Sequence, residues 1–172
     1  MADEIARVHA EGGALVDEEV GAVGDVDNAV VTARFRSGAV GSLSASRTTR
    51  YGHDLRGEVI GEAGAVQVGR LQRTPVRLLD RFGVHQDTIH TTPERMGDAF
   101  VAMLQAFVDC VSRRVASPVG TDDARTTLAV ALAARQSLQR GAPINVEELA
   151  PSESSRSAPA DQQPEDLGPR KG

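Results

Sequence analysis

The spacing of apolar positions changes once along the chain, just after His90. Before that point apolar and polar residues alternate in short runs joined by glycine-bearing turns. After it, apolar residues recur at three and four. Val30 to Phe35 alternates as a strand does, Ser37-Gly38 makes a tight reversal, and Val40 to Ser46 returns. Glu58 to Ile60, a glycine-rich turn from Gly61 to Gly64, and Ala65 to Val68 continue the pattern, predicting an antiparallel meander of at least four strands. Ile5 to Ala10 fits one helical turn or two. It also fits a strand with Ile5, Arg7 and His9 on one face and Ala6, Val8 and Ala10 on the other, and the strand is the preferred reading. Ala14 to Val16 reads as a short extended piece, and acidic, glycine-punctuated Asp17 to Asp27 as a loop. Pro75 to Asp80 is a further strand, whose leading proline has no N–H to give and so suits a first or edge position. Phe82 to His90, bent at Gly83, closes the series.

Two helices follow. Thr92 is placed to cap the first, with Pro93 as its first residue. Met96, Phe100, Met103, Leu104, Phe107, Val108, Val111 and Val115 form one broad apolar stripe, and Ser117-Pro118 ends it. Thr121 is placed to cap the second helix, with Asp122 and Asp123 in the first turn where the dipole favours acid. Leu128, Ala131, Leu132, Arg135 and Leu138 read as its stripe, Gly141 closes it, and Ile144 and Val146 suit a short final strand. The expected fold is α+β: an open-faced, predominantly antiparallel sheet of about six strands with two main helices on one face, over residues 1–150. The uncovered face must meet solvent or a partner, which predicts a homo-oligomer through the open sheet face. From Pro151 to Gly172 no apolar pattern exists, so a disordered tail is expected for 151–172.

Composition narrows the chemistry. Aromatic residues are only 3% of the 172, with no Trp and one Tyr, so the core must be built from Val, Ala and Leu. A net charge of -5 argues against a nucleic-acid partner. The single cysteine, Cys110, allows neither an internal disulfide nor a cysteine-based zinc site, and beside Phe107 and Val111 it reads as a packed thiol. No apolar run reaches membrane-spanning length and no signal-peptide pattern opens the chain, so a cytoplasmic location is expected. The histidines His9, His53, His85 and His90 make no paired metal spacing. Gly61-Glu62-Ala63-Gly64 has the glycines of a hairpin turn without GxGxxG spacing, and no phosphate-loop motif occurs. The sequence therefore offers no metal-binding or cofactor-binding residue.

One polar cluster interrupts the meander: Arg47, Arg50, Tyr51, His53, Asp54 and Arg56. Tyr offers a hydroxyl, His a ring nitrogen and Asp a charged acceptor, a set suited to a polyhydroxylated ligand whose hydroxyls want directed partners. A salt-bridged sheet edge with no ligand has the same composition, and spacing alone does not separate the two.

The residues Gly24-Asp25-Val26-Asp27, Arg34-Phe35, Ser37-Gly38, Ser46-Arg47, Tyr51-Gly52-His53-Asp54, Arg56 and Glu58 carry a resemblance, and Phe100, Phe107 to Cys110 and the segment from Pro118 to Gly141 extend it. The chain resembles, over roughly Ile5 to Val146, the carboxy-terminal domain of inositol 2-dehydrogenases in the glucose-fructose oxidoreductase (Gfo/Idh/MocA) family. The resemblance implies an NAD(P)-dependent oxidoreductase of two domains, in which this kind of domain walls the substrate pocket and assembles oligomers through its sheet. It implies substrate contacts at Tyr51 and, less directly, His53, where many relatives carry a second Tyr. Asp54, Arg56 and Arg47 would support the site. The family's glycine-rich cofactor loop, its Glu-Lys-Pro segment with the catalytic Lys, and its catalytic Asp and His have no match in this sequence. The amino-terminal Rossmann domain is thus expected to be absent, with no catalytic residue here and no hydride transfer by this chain alone. A separate Rossmann-domain protein is the implied partner, and NAD(P) the implied cofactor of the complete enzyme. The alternative is a non-catalytic sugar- or cyclitol-binding or assembly module.

Overall fold

A computed structural model describes residues 3–149, and the expected tail at 151–172 lies outside the described residues. The chain folds as β1 (Ile5–Gly13), α1 (Glu18–Ala22), β2 (Asn28–Phe35), β3 (Val40–Ser46), β4 (Gly57–Gly61), β5 (Gly64–Val68), β6 (Gln72–Asp80), β7 (Gly83–Thr88), α2 (Thr92–Arg113), α3 (Thr121–Arg140) and β8 (Ile144–Asn145). A 3-10 turn, Val146–Glu148, ends the described chain. The α+β class, the antiparallel pairing and the two main helices are as the pattern predicts. The strands are apportioned as one four-stranded sheet, in the order β3-β2-β1-β8, and two separate hairpins, β4-β5 and β6-β7.

The meander is therefore not continuous. β3 does not pair with β4, because the polar segment after Ser46 leaves the sheet: Arg47 N–H donates to Asp27 O at 2.8 Å and His53 N–H to Ile89 O at 2.6 Å. The reading of β1 as a strand holds, and the strand runs on to Gly13. The expected loop from Asp17 to Asp27 contains one short helix, α1, capped by the Asp17 carboxylate on Glu19 N–H. Pro75 lies within β6 and not at its start, inside a register irregularity between Gln72 and Arg77. A bulge is where a strand tolerates a residue with no N–H.

Both caps fall one residue before the expected ones, so that Thr92 and Thr121 open the helices. Thr91 caps α2 in a capping box with Glu94, whose carboxylate takes the His90 and Thr91 N–H groups. At α3 the cap is Gly120, whose N–H donates to the Asp123 carboxylate at 2.8 Å. Gly141 closes α3 in the left-handed region, as expected.

The buried core is small and lies where α3 crosses β1. Val8, Ala33, Ala129, Ala133, Ile144 and Val146 form it. α3 buries the row Ala129, Ala133 and Ser137 and not the leucine stripe that periodicity suggested, leaving Leu128 58% exposed. The reason is closeness: only small side chains let the helix approach near enough for Ser137 Oγ to accept from Ala10 N–H, at 3.0 Å, while donating to Ala142 O at 2.7 Å. β8 pairs only with Arg7 and Val8, so the Ser137 hydroxyl serves β1 beyond the point where that strand stops. α2 buries none of its residues; its stripe, with Phe107 67% exposed, does not lie on the sheet beside α3.

Register assigns the other face of the sheet. Arg7, His9 and Glu11 stand there opposite Arg34, Thr32 and Val30, which in turn stand opposite Val40, Ser42 and Ser44. No described helix covers this face, and apart from Val30 and Val40 it is polar and rich in hydroxyls.

Candidate functional site

The segment that leaves the sheet after β3 builds a site at one end of the open face. A cleft of about 660 Å³ is lined by Asn28, Val30, Ser44, Ser46, Tyr51 and His53, with Asp54 and Arg56 behind them. β2 and β3 supply its floor, and residues 49–56 supply its wall.

Three conditions hold that wall in place. Gly52 is buried with φ at +137°, and a Cβ there would stand 2.5 Å from Ile89 O and 2.9 Å from Thr88 Oγ1. Only glycine fits both the backbone angle and the space. Thr88 Oγ1 donates to Tyr51 O at 2.6 Å, and His53 N–H to Ile89 O, so the end of β7 grips the wall on both sides of Gly52. Arg95, in the first turn of α2, donates from Nε and Nη2 to His53 O at 2.9 and 2.6 Å, and from Nη2 to Arg70 O at 2.6 Å.

Within the wall, Asp54 is the hub. Arg56 forms a two-point pair with its carboxylate, Nε to Oδ1 at 2.9 Å and Nη2 to Oδ2 at 2.7 Å. Tyr51 Oη donates to Oδ2 at 3.2 Å. The Asp54 side chain is only 8% exposed while that of Arg56 is 68% exposed, so the pair presents guanidinium to solvent and keeps carboxylate inside. With its proton committed to Asp54, the Tyr51 oxygen faces the cleft as an acceptor. His53 Nδ1 is buried without a hydrogen-bond partner. In a neutral ring a bare nitrogen is tolerated there better than an N–H with no acceptor, which leaves Nε2 as the donor.

The structure thus brings together four of the singled-out residues, Tyr51, His53, Asp54 and Arg56. Arg47 and Arg50 are exposed and do not line the cleft; Arg47 engages through its backbone N–H on Asp27 O. Sequence reasoning missed Arg95 and Thr88, and took Asp27 only as part of the motif that carries the resemblance. A cation in the first turn of a helix opposes the dipole, and that anomaly was the available signal for Arg95. Asp27 is 2% exposed. Its carboxylate accepts from Leu15, Val16 and Asp17 N–H at 2.9, 2.8 and 2.7 Å and from Asn28 Nδ2 at 2.8 Å. The Leu15 N–H, chiefly, and the other donors hold this carboxyl far below the ordinary carboxylate range against the opposing effect of burial. Asp27 braces the start of β2 and, through its carbonyl, the start of the site segment.

Among the described residues no three His, Cys, Asp or Glu side chains gather as metal ligands, and no helix is long and apolar enough to cross a membrane. Every described strand pair is antiparallel, and Gly61 and Gly64 close the β4-β5 turn. Among the described residues no strand-turn-helix phosphate cradle of a dinucleotide site occurs.

Residues 2–146 match the oxidoreductase family model "C-terminal alpha/beta domain" of the Gfo/Idh/MocA group. The chain is 36% identical over 150 residues to the myo-inositol 2-dehydrogenase of Thermotoga maritima, covering 87% of this chain and 45% of that protein. It is 39% identical over 145 residues to the scyllo-inositol 2-dehydrogenase (NAD(+)) of Bacillus subtilis, covering 84% and 42%. A solved dehydrogenase from Thermotoga maritima superposes with a TM-score of 0.81 at 36% identity, over 86% of this chain and 44% of the other. The chain spans less than half the length of these relatives.

Proposed function

The chain belongs to the Gfo/Idh/MocA oxidoreductase family through its C-terminal alpha/beta domain, and on that premise we propose that it is the substrate-side and oligomerisation domain of an inositol 2-dehydrogenase-like, NAD(P)-dependent oxidoreductase. The observation that carries this reading is the cleft whose wall sets Tyr51 Oη as an acceptor, through Asp54 and Arg56, beside the His53 ring. Hydroxyls of Ser44 and Ser46 and the amide of Asn28 complete a lining of donors and acceptors. A cyclitol presents hydroxyls around its whole rim, and such a lining meets several at once. The names of the relatives, inositol dehydrogenases, support the polyol class.

In this reading Tyr51 and His53 contact substrate, and Asp54 and Arg56 orient Tyr51. Arg47 supports the strand end through its backbone. The nicotinamide, when bound, accepts the hydride, and in this reading its bed is supplied by a Rossmann domain. This chain binds and orients the polyol and does not transfer hydride alone. The rest of the open sheet face, beyond the cleft and covered by no described helix, is the surface we assign to self-association.

Tyr51 is the only tyrosine and no tryptophan is present, so ultraviolet emission reports on the site itself. Titration with myo- and scyllo-inositol is expected to change that emission saturably, and Tyr51→Phe to weaken polyol binding, followed by calorimetry. NADH formation is expected only when a Rossmann-domain partner is added. Turnover by the chain alone would refute the assignment. Binding without turnover, with every Rossmann-domain partner tried, would favour the non-catalytic polyol-binding module.

A further inference from the structure

The His53 peptide is held from both sides. Its N–H is taken by Ile89 O, and its C=O is taken twice by Arg95. Ile89 is itself buried and donates to Leu71 O at 3.1 Å, and Arg95 continues to the neighbouring Arg70 O. Three segments thus converge around one residue of the cleft wall: the end of β7, the entry to β6 and the first turn of α2. Arg95 is the only described residue that reaches His53 O with a side chain, and its planar fork engages two carbonyls together, which an ammonium cannot reproduce. α2 buries none of its residues; besides Arg95, the ion pair recorded between this helix and the preceding strands is Arg73 with Glu94, at 3.6 Å and largely exposed.

We infer that Arg95 is the positioning residue of the cleft, fixing the His53 ring so that Nδ1 stays buried and bare and Nε2 is presented as donor. The inference rests on the polyol reading for its functional consequence but not for its structural one. Without Arg95, the His53 carbonyl loses its partner, the wall relaxes away from Ile89, and Nδ1 gains water. The ring then samples both tautomers, as an exposed imidazole does.

The test uses the full chain with ring nitrogens of histidine labelled, His53 being assigned from the spectrum of His53→Gln. In the wild-type chain the ring nitrogen shifts of His53 are expected at the Nε2–H tautomer. In Arg95→Met they are expected to move toward the averaged values of a free ring, with helix content unchanged. Inositol affinity, read from Tyr51 emission, is expected to fall on the order of tenfold, the size of a lost charge-assisted bond. Arg95→Lys is expected to fall between, and methylguanidinium added to Arg95→Ala to restore both readouts. Arg73→Met, which removes the exposed ion pair of the same helix, is expected to move neither.

Unchanged His53 shifts in Arg95→Met overturn the inference. Should that variant unfold, Arg95→Lys carries the test, and wild-type shifts there overturn it equally. A wild-type chain that ignores inositol while Arg95→Met still moves the His53 ring refutes the polyol reading and leaves the positioning role standing. A chain that binds inositol equally well with Met at 95 refutes the positioning role and leaves the polyol reading standing.

Discussion

Gly52→Ala tests how the cleft wall is held. Two separate penalties act at this position. The first is the backbone angle, φ +137°, which an L side chain adopts at a cost of about 1–3 kcal/mol. The second is space, because the new Cβ would stand 2.5 Å from Ile89 O, the acceptor for His53 N–H. The Ile89 carbonyl belongs to a buried residue and cannot swing aside, so the wall must move and that hydrogen bond is lost, adding about 1 kcal/mol. Gly64 supplies the control: its φ is +148°, yet nothing lies within 4 Å of a Cβ there. Gly64→Ala therefore carries the angle penalty alone. We expect Gly52→Ala to lose about 3 kcal/mol and Gly64→Ala about 1–2 kcal/mol. At a urea slope of about 1–3 kcal/mol per molar, the midpoint of Gly52→Ala moves by about 1–3 M, followed by far-ultraviolet circular dichroism. Near-ultraviolet dichroism of Tyr51, one residue away, is expected to collapse in Gly52→Ala and to persist in Gly64→Ala. Equal midpoints and an unchanged Tyr51 signal would refute the claim that close approach to Ile89 holds the wall.

Two further outcomes follow from buried polar groups. Ser137→Ala strips Ala10 N–H of its acceptor and Ala142 O of its donor where Ser137 is fully buried, and should lower stability by about 1–3 kcal/mol. Thr127→Ala, which removes an exposed bond to Asp123 O on the same helix, should stay within about 0.5 kcal/mol, and equal urea midpoints for the two would refute the accounting. Asp27 has its carboxyl held lower in the folded chain than in the unfolded one, so its contribution is full above about pH 4 and is lost as pH falls further, toward the folded value. Asp27→Asn should lower stability at neutral pH and flatten the acid limb of the midpoint-against-pH curve, and an unaltered acid limb would sink that assignment.

Local periodicity determined much of this protein. Strands at Val30 to Phe35 and Val40 to Ser46, the turn at Ser37-Gly38, both long helices and the Gly141 stop follow from neighbours within one or two turns of chain, and local sterics decide such features. The polar cluster from Tyr51 to Arg56 was legible for a related reason: its partners Tyr51, Asp54 and Arg56 lie within five residues of one another. What tertiary structure alone decided involves contacts across long separations. Ser137 meets Ala10 across 127 positions, which selects the small-residue face of α3 over the leucine face that hydrophobicity favoured. Arg95 meets His53 across 42 positions, and nothing near either residue names the other. Asp27 stood within a segment whose composition indicates a loop; its importance lies in three backbone N–H groups, which every sequence carries alike. Side-chain pattern records which face is apolar, but it holds no record of how closely two backbones approach, and in this chain that distance places the helix on the sheet and the wall on its cleft.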